Sequence, residues 1–416
     1  MNRQLPEDFA KLELPDELCQ AILELGFESC TPVQNEVLPH SLDGRDIIAQ
    51  AQTGTGKTAA FLISIITYDL ENPTYDERDP GTPFALIVAP TRELVIQISK
   101  DAEELTKFTD LTVASVVGGM DYDKQRNQLK HPVDIVVATP GRLLDFARSG
   151  TVDLSQVEIL ILDEADRMLS MGFIPDVKAI VARTPRKQQR QTQLFSATYS
   201  EDIKRLAASW TLDPVRIEIA PEQVAVDTVD QRVFLTSEDE KYTVLYNLIE
   251  VYELDRVLIF VNRRDESREL EFKLRRHGFA TGLLAGDVPQ KKRLRTLEDF
   301  RSGNITVLVA TDVAGRGLHI DDISHVINYN LPEDPEDYIH RIGRTGRAGA
   351  EGISITLACE SDAFMLPNIE ALLGRTLQCE HPPEELITET PTLPPAPRAE
   401  RPQNKKRGRR DRGWRR

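Results

Sequence analysis

Three carboxylates within four positions, Asp163, Glu164 and Asp166, close an apolar run that starts at Val157. The run Val157-Glu158-Ile159-Leu160-Ile161-Leu162 has the composition of a strand buried on both faces in a parallel sheet. Acids at the end of such a strand fall on the edge where open parallel sheets bind ligands. Two adjacent carboxylates there can divide the work, one holding a cation and the other handling a proton. Upstream, Ala51-Gln52-Thr53-Gly54-Thr55-Gly56-Lys57-Thr58 follows a short apolar stretch and leads into an apolar helix pattern from Ala59 to Tyr68. This is nearly the phosphate-binding loop, with Ala51 where the strict pattern has Gly. Its backbone N–H groups cradle an anion, Lys57 adds charge for the β and γ phosphates, and Thr58 offers a hydroxyl to Mg²⁺.

A repeating strand and helix pattern must position these groups. Strands are predicted at Asp46–Gln50, Phe84–Val88, Val113–Val117, Asp134–Ala138, Val157–Leu162 and Gln193–Ser196, with helical patterns between them. A helical, capped segment precedes them: Leu12, Leu14, Leu18, Ile22, Leu23 and Leu25 recur at near-helical spacing, Gly26 is a stop, and Thr31-Pro32-Val33-Gln34 begins a second helix. Pro90-Thr91-Arg92, Gly118-Gly119, Thr139-Pro140-Gly141-Arg142 and Ser196-Ala197-Thr198 each read singly as turns or caps. Together they put hydroxyl, glycine and arginine groups on one edge, which suits a phosphate backbone. A second series follows: Arg232–Leu235, Val257–Val261, Thr281–Ala285, Thr306–Ala310, His325–Tyr329 and Ile353–Leu357. It has no phosphate loop. It carries Thr311-Asp312 after one strand, and Arg341, Arg344 and Arg347 at three-residue spacing among glycines. An arginine brought from a partner domain can stabilise charge on a transferring phosphoryl group, the role expected of Arg344 and Arg347.

The expected architecture is α/β, two tandem parallel-sheet domains at 1–220 and 229–380 joined by a linker at 221–228, with a proline-rich and then arginine-rich disordered tail at 381–416. The 416 residues carry a net charge of −16. From Arg401 to Arg416 nine Lys or Arg stand against one Asp, which leaves 42 basic and 66 acidic residues on 1–400. An acidic body with a basic, Trp-containing tail is a signature of nucleic-acid contact through the tail. No window reads as a membrane span or a signal peptide, so a cytoplasmic protein without membrane contact is expected. Cys19, Cys30, Cys359 and Cys379 lack metal-ligand spacing and read as reduced thiols.

In order and spacing these motifs resemble the DEAD-box family of ATP-dependent RNA helicases, whose name spells Asp163-Glu164-Ala165-Asp166, over Phe9 to about residue 375. The resemblance implies two RecA-like domains that hydrolyse ATP with Mg²⁺ and close on RNA. It implies an upstream segment at about 7–35 in which Phe9 stacks on adenine and Gln34 reads its edge. Asp163 would hold Mg²⁺, usually through water, and Glu164 would activate the attacking water. Asp166, Ser196, Thr198, His340 and Arg341 would couple hydrolysis to strand separation, and Asp312 would contact the nucleotide. RNA would lie across Pro90, Thr91, Arg92, Gly119, Thr139, Gly141 and Arg142 in the first domain. In the second it would meet Arg293, Thr311 and the stretch near Asn262, gripped by its backbone and 2′-hydroxyls. His319 stands where most members carry an aspartate that touches the ribose. Within the family, Gly286 to Arg295, Gly317-Leu318-His319-Ile320 and the Arg-rich tail look like a bacterial subgroup that serves the RNA degradosome, with a scaffolding endoribonuclease and polynucleotide phosphorylase as neighbours. A monomer is expected. The alternatives from other classes are an ATP-gated RNA clamp or ribosome-assembly remodelling factor with little unwinding, and a DNA helicase on the same fold.

Overall fold

In the structure, a computed structural model, residues 5–52, 54–73, 78–219, 229–312, 323–346 and 352–392 are described. The chain builds two seven-stranded sheets, and every strand pairing is parallel. The first contains β1 (Ile47–Gln50), β2 (Ala85–Val88), β3 (Val113–Val116), β4 (Ile135–Ala138), β5 (Ile159–Leu162), β6 (Gln191–Ser196) and β7 (Val215–Glu218). The second contains β8 (Val229–Leu235), β9 (Val257–Phe260), β10 (Thr281–Leu284), β11 (Val307–Ala310), β12 (His325–Asn328), β13 (Gly352–Ala358) and β14 (Cys379–Glu380). The orders are β3-β4-β2-β5-β6-β1-β7 and β10-β11-β9-β12-β13-β8-β14, the same topology shifted by seven strands. All twelve predicted strands are present. The two that sequence patterning missed, β7 and β14, are edge strands of four and two residues, too short and too exposed to carry an apolar signature.

Alternation along the strands explains the layers. Ile159 and Ile161 of β5 enter one core with Phe61 and Phe195, whereas Leu160 and Leu162 enter another with Leu86 and Leu194. A strand that feeds cores on both faces must be apolar at every position, which is why it reads as a continuous run. The second sheet repeats the division: Val257 and Ile259 pack on one side, Leu258 and Phe260 on the other. The helix Lys57–Glu71 buries Ala60 through Ile66 on nearly its whole circumference because it lies between the first sheet and the helix Pro32–Leu42.

Two N-terminal helices form, Asp16–Leu25 ending at Gly26 with φ 76° and Pro32–Leu42 opening with a capping box; Leu12 and Leu14, read as part of the helical repeat, precede the first, which Pro15 caps. The tail, expected from His381, starts later. Leu386 is buried, and the Asn247 amide donates to the carbonyls of Leu386 (3.0 Å) and Thr388 (2.7 Å), so the chain through that point belongs to the second half. Residues 393–416 and the expected linker 221–228 lie outside the described residues. Among the described residues no helix is long and apolar enough to cross a membrane, and all four cysteines are free.

Lys241 is fully buried and pairs at 2.9 Å with Asp362, which also accepts from the amides of Leu331 and Cys359. Removing one partner strands a buried charge. Lys241→Ala should therefore cost about 3 kcal/mol or more, whereas Lys204→Ala, which breaks the exposed pair with Glu201, should cost under about 1 kcal/mol. Urea unfolding of both variants checks this, and equal midpoints would refute it.

Candidate active site

The strand order sets β5, β6 and β1 side by side, so whatever follows each of them converges. The loop after β1 turns through Gly54 and Gly56, with φ of 87° and 95°, into the helix Lys57–Glu71. Lys57 is buried, and its Nζ donates to the carbonyls of Ala51 (2.7 Å) and Gln52 (2.8 Å). The ammonium is thus held over the loop and beside the helix N-terminus, where an anion is favoured. Thr55 Oγ1 closes the turn on the Gln52 carbonyl at 2.8 Å, and Thr58 stands half-buried on the first helical turn. Thr53 lies outside the described residues.

Asp163 and Glu164 follow β5 and are both buried. Glu164 adopts φ 51° and ψ 53°, a left-handed conformation that costs a residue with a Cβ, and its amide donates to Asp163 Oδ1 at 2.9 Å. Burial pushes the Asp163 carboxyl up to about 7, with Lys57 pulling the other way. Glu164 differs. Burial acts to raise it, but Arg167, with Nη1 3.2 Å from Oε2, then Lys57, Arg344 and His340 outweigh burial and hold it below the ordinary carboxylate range. Two adjacent carboxyls are thereby set apart: Glu164 is kept ionised, while at Asp163 burial outweighs the one cation, Lys57, that acts on it. Asp166 ties this end of β5 to β6. Its Oδ2 accepts from the amides of Ala197 (3.1 Å) and Thr198 (2.9 Å), and its own amide donates to Ser196 Oγ at 3.2 Å.

The second half completes the site. His340 lies in the last turn of the helix Pro335–Ile342, and Arg344 follows its C-cap with Nε donating to the His340 carbonyl at 3.2 Å. His340 and Arg344 line one cavity with Lys57, Glu164 and Asp166. Its volume is about 60 Å³, room for a few waters. It therefore suits the reacting end of a phosphate chain, and a base must lie elsewhere. The carboxylate of Asp163 and the hydroxyl of Thr58 are hard oxygen donors. Among the described residues no group of three acids, His or Cys forms a metal cage. That combination fits Mg²⁺, which takes one or two protein oxygens and completes its shell with phosphate and water.

Several expected residues fall elsewhere. Phe9 is 0% exposed, packed in the core with its ring 5.9 Å from that of Phe27. A ring without an open face cannot stack on adenine, and half-buried Phe27 is the ring beside it that keeps some exposure. Gln34 is buried and doubly used. Its Oε1 accepts from the Thr31 amide (2.9 Å) to close the capping box, and its Nε2 donates to the Gly56 carbonyl (3.1 Å), which latches the N-terminal helices to the phosphate loop. Asp312 is taken by Arg341, which donates to both of its oxygens at 2.6 Å, and to Asn262 Oδ1 and the Asn330 carbonyl at 2.7 Å. Arg341 is therefore an internal strut of the second half, whereas Arg344 lies beyond the helix, which ends at Ile342 with Gly343 as its C-cap. Arg347 and His319 lie outside the described residues.

The expected nucleic-acid strip divides similarly. Arg92 lies over Gly118 and Gly119, where a Cβ at Gly119 would strike its guanidinium. Arg142 stacks on Tyr122 and Phe146 with its carbon 5.0 and 5.5 Å from the ring centres, while Gly119 and Gly141 are exposed. Thr91 caps the helix Arg92–Leu105, accepting from the Leu94 amide at 3.3 Å, Thr139 is the N-cap of the helix Pro140–Arg148, and Pro90 and Thr311 are buried. Arg293 is 8% exposed and spent on another contact: its Nε lies 2.9 Å from Glu93 Oε1, as an ion pair whose N–H is misaligned for a hydrogen bond. Gln290 Nε2 donates to the same oxygen at 3.0 Å, so Glu93 clasps the two halves. Arg167 and Glu93 were missed by sequence reading. Arg167 had a signal, three residues after Glu164 at the start of a helix; Glu93 had none, since its partners lie about 200 residues away.

Residues 31–206 match the DEAD/DEAH box helicase family and 240–349 the helicase conserved C-terminal domain. The chain is 59% identical over 384 residues to the ATP-dependent RNA helicase RhlB of Pseudomonas putida, covering 92% of this chain and 96% of that one. It is 47% identical over 385 residues to the RhlB of Shewanella baltica, with 92% and 88% covered. Among solved structures, S. cerevisiae Dbp5 bound to RNA and ADP BeF3 superposes with a TM-score of 0.79 at 32% identity, over 89% of this chain and 95% of that one. Mss116p bound to ssRNA and AMP-PNP gives 0.80 at 27% identity, with 94% and 84% covered.

A Cβ at Gly56 would come within 2.6 Å of Thr31 Oγ1 and 2.7 Å of Gln34 Nε2, at a φ of 95°. Gly56→Ala should break the latch and weaken ATP binding by about tenfold or more, the equivalent of 1–3 kcal/mol of strain. Titration with a fluorescent ATP analogue reads this; unchanged affinity would mean that the latch does not shape the loop.

Proposed function

Because the chain belongs to the DEAD-box family of ATP-dependent RNA helicases, we propose that its two halves act as a clamp that ATP closes on one strand of structured RNA, expelling the partner strand locally. The observation that carries this reading is the shared cavity, in which Arg344 of the second half faces Lys57 and Glu164 of the first. Such a site is complete only when the halves are together, so chemistry and closure are linked. The superposition on relatives described as bound to RNA and nucleotide analogues supports the same arrangement.

In this reading the loop from Ala51 to Thr58 holds the phosphates, Lys57 leaving its carbonyls for them. Glu164, kept ionised, accepts a proton from the attacking water, which Arg167 leaves it free to do by balancing charge without taking the proton. Asp163 and Thr58 would hold Mg²⁺, which neutralises phosphate charge when bound. Arg344, with Arg347, stabilises charge on the transferring group. Asp166 reports the state of this edge to Ala197 and Thr198 through their amides. Phe27, not Phe9, takes the adenine face, and Gln34 exchanges its Gly56 contact for the base edge. RNA follows Arg92, Gly119, Gly141 and Arg142 across the first half; closure holds the second half in register through Glu93. On the motif resemblance described from the sequence, the protein works in RNA turnover beside a degradosome endoribonuclease, in the cytoplasm and as a monomer.

ATP hydrolysis measured without nucleic acid, with single-stranded RNA and with the matching DNA should rise with RNA alone, and a labelled duplex should part at saturating ATP. Hydrolysis without strand release would sink the unwinding reading. Glu164→Gln should retain ATP binding and lose about 100-fold or more in turnover, as expected for a general base. Arg344→Ala should lower kcat about 1000-fold with little change in ATP affinity, since the arginine acts on the transition state. A parallel loss of affinity would place Arg344 in ground-state binding instead.

A further inference from the structure

The shared topology gives the second sheet a counterpart to the phosphate site. β12, β13 and β8 adjoin as β5, β6 and β1 do, and a cavity of about 830 Å³ opens where the chain leaves them and β9. Its chemistry is the reverse. Eight carboxylates and two cations line it. Asp265 pairs with Arg263, Glu269 with Lys273 and Asp362 with Lys241, which leaves Glu238, Asp239, Glu266, Glu333 and Glu360 without an ion pair among the described residues. Such a field repels phosphate and attracts cations.

Two further observations point to the kind of cation. Tyr329 is 8% exposed and lines the cavity, yet its hydroxyl makes no hydrogen bond among the described residues, while Phe364, also lining it, is 67% exposed. Unpaired carboxylates, an unpartnered hydroxyl and an open aromatic face suit a guanidinium, which donates in a plane and stacks on a ring. The chain itself supplies guanidinium groups. The described residues end beside this cavity: His277 Nε2 lies 3.0 Å from the Pro391 carbonyl, and the His277 ring stacks on Tyr242, which lines the cavity rim. The thirteen residue-to-residue steps from Thr392 to Lys405 reach about 44 Å when extended.

We propose that this acidic cavity is the docking site of the chain's own basic segment, Arg398 to Arg416, whose arginines pair with Asp239, Glu333 and Glu360 and stack on Phe364. RNA and the cavity then compete for one segment, a consequence that rests on the reading of that segment as RNA-binding. The docking itself does not.

The full chain, as an equal mixture of ¹⁵N-labelled and unlabelled protein at high dilution, is treated with a carbodiimide that joins lysines to carboxylates in contact, and the links are mapped by mass spectrometry. Lys405 and Lys406 should join Asp239, Glu333 or Glu360 within one molecule. In Asp239→Lys/Glu360→Lys the link to the unaltered Glu333 should disappear, with RNA-stimulated kcat unchanged as the sign of an intact fold. Links scattered over exposed carboxylates of both halves, links only between labelled and unlabelled chains, or a Glu333 link that survives the double variant would each overturn the proposal. The same variant should bind oligouridine at least about threefold more tightly, because more of the segment is free. If the links behave as expected and oligouridine affinity does not move, docking stands and the RNA role of the segment falls.

Discussion

Two carboxylates buried side by side at the end of β5 impose the condition that organises this molecule. Neither can be left without a cation, and one strand end cannot supply enough of them. Lys57 arrives from the loop after β1, Arg167 from the next helical turn, and Arg344 from the second half of the chain. The last of these makes the electrostatics of the site depend on where the second half lies. The protein has thus placed a charge requirement of its first sheet partly in its second. Nucleotide chemistry and large-scale arrangement are one problem here, solved at one cavity.

The same economy appears in the polar struts. Gln34 closes a capping box with one atom and holds the phosphate loop with the other. Asp166 satisfies two amides after β6 while its own amide is satisfied by Ser196. Arg341 joins Asp312, Asn262 and Asn330, three segments that follow three different strands. Each is a polar group at least half-buried, whose cost is met only when every partner is present. A local disturbance at one strand end therefore reaches its neighbours through hydrogen bonds rather than through soft packing.

How far this was readable from the sequence follows from the range of each interaction. Central strands were legible because burial on both faces leaves an unbroken apolar run, and the phosphate loop and acids because their chemistry is local. Edge strands β7 and β14 were not, since they are paired on one side and mostly exposed. The failures at the site share one cause: a motif gives a residue's type and not its burial. Phe9 has the right chemistry for a base and the wrong depth, with Phe27 covering it. Arg293 has the right charge for RNA but meets Glu93, an encounter between distant segments that no spacing announces. Asp312 is consumed by Arg341 for the same reason. The segment after His381 reads as tail by its prolines, yet one buried leucine, Leu386, holds it to the second half.

The edge strands carry a consequence of their own. An open parallel sheet ends in unpaired backbone groups that can template another chain, and a chain with two such sheets has four such borders. Here the late edges are small. β7 points Arg216 and Glu218 outward, and β14 offers two exposed residues, Cys379 and Glu380. Short, charged borders deny a long register to any neighbouring strand. A molecule built from two such open sheets is in this way guarded against edge-to-edge aggregation.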